Sequence, residues 1–187
     1  MEQLGKITFK QLETSDYDKL QVFLDTCNHL GYENNKSVDS IKLDKMTMPY
    51  GQFFVGIIDD KLFTLAGVHI MENNKYRCMF RGATLPGYTT GLTGLRASYQ
   101  VIYLLNMQID LIRQHNPSSE FYVTTNIEQN YGKSSRMDTV WLPRASKLGL
   151  FELVDDNFMY NYTLQRLWKI NVEKYKQWRL DDNTLIN

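Results

Sequence analysis

YRCMFRGATLPGYTTGLTGLRASYQVIYLLNMQIDLIRQH, residues 76–115, is the stretch on which the fold turns. Tyr76 to Thr84 is rich in strand-forming residues and follows the turn pair Asn73-Asn74. Pro86 to Gly94 is a loop of small residues with three glycines. From Leu95 onward the pattern changes period. Leu95, Tyr99, Ile102, Leu105, Ile109 and Ile112 fall at steps of three or four and predict the buried stripe of a long helix. Arg96, Gln100, Tyr103, Asp110 and Gln114 fall on its other side, and Asn116-Pro117 ends it.

A helix opening straight out of such a loop presents unpaired N–H groups with partial positive charge. Backbone that can approach closely, with threonine hydroxyls beside it, suits a diphosphate. The plainer alternative is a strand-to-helix turn that uses glycine for its dihedrals alone.

Upstream, Ile7 to Gln11 reads as a short strand, and Ser15 reads as an N-cap with Asp16 and Asp18 in the first turn. Leu20, Phe23, Leu24, Cys27 and Leu30 give the buried face of that helix, which Gly31 stops. A weaker helix starts at Ser37 and closes at Pro49 and Gly51. Phe53 to Ile58 and Leu62 to Ile70, joined by Asp59-Asp60, predict a hairpin that runs on into Tyr76 to Thr84. Downstream lie a strand at Phe121 to Thr125 and a helix starting at a Ser135–Asp138 capping box. Pro143 should kink or shorten that helix and Gly149 should end it. Phe151 to Val154 and Met159 to Trp168 predict a strand pair turning at Asp155-Asp156-Asn157. The order implies one α/β domain over residues 1–170, its mixed sheet mostly antiparallel and flanked by helices, with a tail at 171–187 carrying a short helix.

Lysine plus arginine and aspartate plus glutamate number 21 each, so the net charge is zero, which argues against a nucleic-acid partner. Residues 99–112 carry Gln100, Asn106, Gln108 and Asp110, too polar for a bilayer span. Met1 to Lys10 lacks the apolar core of a signal peptide. Cys27 and Cys78 form neither a disulfide framework nor a metal cluster, so a cytoplasmic location and no metal are expected.

At this point the chain resembles the GCN5-related N-acetyltransferases. In that family a strand runs into a Pro-Glu-Tyr-Arg-Gly-Lys-Gly-Ile-Gly loop and then a long helix. Pro86, Tyr88 and Gly94 match it, Thr89 replaces the Arg/Gln, and Leu92 replaces the middle glycine, with Gly91 displaced by one place. Ile7 to Leu12 with Ser15-Asp16-Tyr17 is similar to the family's opening, and Ala66-Gly67 to its central pair. Ala145-Ser146-Lys147-Leu148-Gly149-Leu150-Phe151 resembles its last helix close. The resemblance covers about residues 5–170.

The resemblance implies acetyl-coenzyme A as co-substrate and transfer of its acetyl group to an amine of a small molecule or peptide. It places the pantetheine arm along Gly82, Ala83, Thr84 and Leu85. The diphosphate falls at Thr89, Thr90, Gly91, Leu92, Thr93, Gly94 and Leu95. Such transfer needs a base for the amine, donors for the oxyanion and an acid for the thiolate. Glu128, His69 and Glu72 are the candidate bases. The family's donor tyrosine falls on Ala145, leaving Tyr131 or Tyr160 among 12 tyrosines. Residues 126–136 exceed the family's usual link and are where an acceptor is expected. The missing tyrosine keeps a second reading open, an inactive domain of the same fold that binds a ligand or protein. A homodimer is compatible with either.

Overall fold

The computed structural model describes residues 2–4, 6–32, 37–92, 95–127, 136–160 and 162–181. The chain is mixed α/β and divides into two compact units, Met1–Thr90 with Ser98–Ser119, and Gly91–Ala97 with Glu120–Asn187.

The first unit is an antiparallel meander in chain order: β1 (Glu2–Leu4), β2 (Ile7–Gln11), β3 (Gln52–Ile58), β4 (Lys61–Glu72) and β5 (Lys75–Thr84). The predicted hairpin is there, with Asp59 (φ 46°) and Asp60 (φ 64°) in the left-handed region that aspartate tolerates. Two helices, α1 (Tyr17–His29) and α2 (Val38–Thr47), pack on one face. Asp16, rather than Ser15, stands at the N-cap of α1, preceded by a 3₁₀ turn at Thr14–Asp16. Its carboxylate takes the Glu13 N–H at 3.0 Å and an ion pair with Lys10 at 2.9 Å, bonds that a serine hydroxyl does not replace. Ser37 caps α2 as expected, accepting from Ser40 N at 3.1 Å. Leu20, Phe23 and Leu24 lie under Phe53, Val55 and Leu65, and each such side chain taken from water contributes about 1.5–3 kcal/mol.

The other face of this meander is aromatic. Tyr103 stacks on Phe9 at 4.2 Å between centroids, Tyr88 stacks on Phe63 at 4.2 Å, and Tyr99 meets both phenylalanines edge-on or tilted. A Cβ at Gly56 would stand 2.9 Å from both Phe9 and Phe63, so the strand yields its side chain to let the rings meet. This corrects the placing of Tyr103 on the outer helix face: it is buried. Its ring fills the layer that the periodicity left to smaller side chains.

The largest departure lies between β5 and the long helix. Residues 95–98 do not open the helix. Thr89–Leu92 (β6) and Leu95–Ser98 (β7) form a two-stranded sheet, closed at its base by Tyr99 N donating to Tyr88 O at 3.1 Å. The helix begins with a π-helical turn at Gln100–Leu104 and continues as α3 (Leu105–His115), ending at Asn116 as expected. Leu95 and Ala97 are buried from a strand, where alternation serves them as well as helical spacing would.

In the second unit β8 (Glu120–Asn126), β10 (Thr163–Ile170) and β9 (Phe151–Tyr160) pair antiparallel in that order. The turn between β9 and β10 falls near Tyr162 (φ 60°), not at Asp155–Asn157. Those three residues form part of β9, which carries two bulges: Asp155 to Phe158 faces Leu167 to Gln165, and Leu153 to Asp155 faces Trp168 to Leu167. Asn157 closes the first of them on itself, its N–H reaching Asp155 Oδ1 at 2.8 Å. Strand β9 is outermost, and residues 152–157 are exposed.

Ser135 lies outside the described residues. A π-helical turn at Met137–Trp141 leads into the short α4 (Leu142–Lys147), with Pro143 in its first turn, where a missing N–H costs nothing. Gly149 ends it at φ 73°. The last helix, α5 (Val172–Leu180), is capped by Asn171 Oδ1 accepting from Lys174 N at 3.1 Å, and it buries Tyr175 and Trp178.

Candidate functional site

Strand β5 is built irregularly where the pantetheine arm was expected. Its register against β4 slips by one residue three times, between Leu65 and Gly67, between Gly67 and His69, and between Ile70 and Glu72. Met79 (φ 54°) and Arg81 (φ 50°) are left-handed without being glycine. Such strain persists only where surroundings hold it, and it gathers at functional sites. Here the surroundings are visible: the Met79 N–H turns to the side-chain oxygen of fully buried Gln108 on α3, at 3.1 Å. Arg81 meets Asp44 of α2 in an ion contact without hydrogen-bond alignment. Phe80, between them, is flanked by the guanidinium groups of Arg77 at 4.8 Å and Arg81 at 5.5 Å.

Gly82 lies within the bulge between Phe80 and Ala83, and Ala83, Thr84 and Leu85 follow it. A Cβ at Gly82 would stand 1.9 Å from Gln100 Nε2, so the glutamine amide lies directly on the glycine. Thr84 Oγ1 shares a hydrogen bond with Thr64 Oγ1 at 2.8 Å, and its carbonyl accepts from Tyr32 OH at 2.8 Å. Leu85 N donates to Phe63 O at 2.9 Å. Thr89, Thr90, Gly91, Leu92 and Leu95 are all in the β6–β7 pair, which corrects the expectation that amides of residues 92–95 head the helix. Backbone in a two-stranded pair directs its N–H groups along the sheet. Thr93 and Gly94 lie outside the described residues.

Of the candidate bases, His69 is 1% exposed. Its Nδ1 is 3.0 Å from Ile70 O, and its ring meets Phe80 edge-on at 5.0 Å. Burial holds its pKa below the ordinary 6.5, the Ile70 carbonyl opposes this, and the charge of Arg77 adds to it. Glu72 is exposed and paired with Lys75 at 2.5 Å. Glu128 and Tyr131 lie outside the described residues. Tyr160 stacks on Phe158 at 5.9 Å, and Ala145 is fully buried. Among the described residues no three His, Cys, Asp or Glu side chains group to hold a metal, and no helix is long and apolar enough to cross a membrane.

No family model matches the chain, and no curated protein matches it in sequence. Solved structures do match in shape. The spermidine N-acetyltransferase of Vibrio cholerae in complex with CoA and spermine superposes with a TM-score of 0.54 at 14% identity, covering 92% of this chain and 99% of that one. The fold is that of the GCN5-related N-acetyltransferases. The ribosomal-protein-S18-alanine N-acetyltransferase of Escherichia coli agrees, at TM-score 0.54 and 12% identity over 88% of this chain and 92% of its own. So does Arabidopsis thaliana Naa50 in complex with the bisubstrate analogue CoA-Ac-MVNAL, at 0.53 and 13% over 88% and 97%.

This acetyltransferase fold also holds a polar network that no motif announced. In the second unit Trp168 Nε1 donates to Thr125 Oγ1 at 3.1 Å, and Thr125 Oγ1 donates to Asp138 Oδ1 at 2.5 Å. Arg166 Nη1 meets the other Asp138 oxygen. The Asp138 carboxylate is 2% exposed, so its charge depends on these partners. Its sequence signal is slight: a carboxylate beside the predicted helix start, 28 residues from the arginine that balances it.

Proposed function

We propose that the chain is an acyl-coenzyme A-dependent N-acyltransferase that moves an acetyl group to an amine of a small molecule or peptide. The observation carrying this is the likeness of fold, over about nine-tenths of the chain, to enzymes solved with CoA and spermine or with a CoA–peptide conjugate. The bulged β5, with Met79 and Arg81 held in strained backbone, supports it as the segment facing the acyl carrier. In direct transfer the amine nitrogen attacks the acetyl carbonyl carbon, the carbon–sulfur bond breaks, and the amine proton passes to a base while the thiolate leaves. Glu128 as base and Tyr131 as acid belong to this proposal, while His69, sealed beside Phe80, supports the strand.

Two observations favour a second reading, a binding domain without catalysis. The β6–β7 pair stands where the head of the helix was expected, and buried Ala145 stands where the family's tyrosine falls. One pair of measurements separates the readings. Acetyl-coenzyme A at about 100 times its dissociation constant should stabilise the fold by about 2.7 kcal/mol and raise the melting midpoint by several degrees. With spermine or an N-terminal peptide present, free thiol should also accumulate. A midpoint shift without thiol release with any amine supports the binding domain; no shift with any short-chain acyl-coenzyme A overturns the transferase.

A further inference from the structure

The Asp138–Arg166 network borders an open cleft of about 520 Å³ in the second unit. Thr139, Pro143 and Ser146 line it from the helical segment, and Leu153, Arg166 and Trp168 from β9 and β10. Thr139, Pro143 and Ser146 recur at helical steps of four and three, so one face of the segment holds short side chains over the strands. That stripe and the pleat leave room between them, with the Trp168 indole and Leu153 as apolar surfaces.

Arg166 gives the cleft its chemistry. A guanidinium has five N–H donors in a planar fork. Among the described residues only Nη1 has a side-chain partner, Asp138, and the Arg166 side chain is 34% exposed. The arginine is thus anchored at one nitrogen, while its remaining edge has donors for a planar anion. Arg166 is the one cation among the described lining residues and it already faces Asp138, so every negative charge a ligand brings stands near the buried carboxylate, and one such charge costs less than two. A singly charged acid fits this balance better than a dianion.

We propose that this cleft binds a small monocarboxylate with a flat apolar body, its carboxylate paired side-on with Arg166 and its body against Trp168 and Leu153. The proposal does not rest on the acyltransferase reading. It is tested on the full chain with benzoate, benzamide and phenyl phosphate, read by thermal melting and by the three tryptophan indole N–H resonances. Benzoate should raise the midpoint saturably and move the Trp168 resonance while leaving those of Trp141 and Trp178 in place. Benzamide should do neither, and phenyl phosphate should bind more weakly. Arg166→Lys, which keeps the charge opposite Asp138 but loses the fork, should weaken benzoate about tenfold. Ser146→Trp, which fills the cleft and leaves the ion pair alone, should abolish binding in a chain that still melts cooperatively. The idea is overturned if benzoate gives no saturable shift, if benzamide matches it, if phenyl phosphate binds as tightly, or if either variant binds benzoate unchanged.

Discussion

His69 keeps its place by staying neutral. Its folded pKa lies below 6.5, so as pH falls the unfolded chain takes up the proton first and is stabilised by it. The contribution of a neutral His69 is therefore intact above about pH 6.5 and is lost as pH falls from there through the lower folded value. His69→Gln should flatten the dependence of melting temperature on pH between about 7 and 5.5; an unchanged slope would assign that dependence to other groups. Asp138 has the opposite problem, a charge that must be kept. Arg166→Met should cost about 2–4 kcal/mol in urea unfolding, and adding Asp138→Asn should recover most of it, because the penalty comes from a buried carboxylate that has lost the Arg166 cation. A double variant as unstable as the single one would place the cost in packing instead. Neither environment was legible in the residues themselves. In the sequence His69 is one of three candidate bases and Asp138 is the partner of Ser135 in a capping box. Depth and partner are set by elements that arrive from elsewhere in the chain.

Single elements were legible wherever a local rule fixes them. Ser37 capping α2, Asp59-Asp60 turning the hairpin and Gly149 ending α4 all follow from backbone demands that neighbours in sequence satisfy. Legibility failed where two periods fit the same residues. Leu95 belongs to the helical stripe, yet it also alternates with Ala97, and the structure takes the strand pair, which Tyr99 N closes on Tyr88 O. Bulges failed for a related reason, since strand β9 looks like two strands and a turn until its partner supplies the register. Gly56 on β3 shows how tightly neighbouring elements fit. Gly56→Ala sets a methyl 2.6 Å from the Thr64 methyl and 2.9 Å from two rings, and should cost about 1–3 kcal/mol by denaturant titration. A neutral outcome would mean that Phe9 and Phe63 can separate without loss.

At the scale of the molecule, the order of strands and helices carried the fold because meanders and helical layers follow from which faces are apolar. The catalytic assignment did not travel with it, since a fold positions a site without specifying the chemistry in it. The outermost strand of the second unit has a consequence for how copies of the chain meet. A long, flat outer strand is a template on which another chain can be laid, rung by rung. Strand β9 breaks that template twice and puts Asp155 and Asp156 side by side where a neighbour's ladder would have to form. Leu153, Val154 and Met159 can thus stay exposed on it without stitching molecules into fibres. Asp155→Thr with Asp156→Val should make the protein form thioflavin-binding aggregates faster on mild heating. An unaltered lag time would mean that something other than these kinks keeps the copies apart.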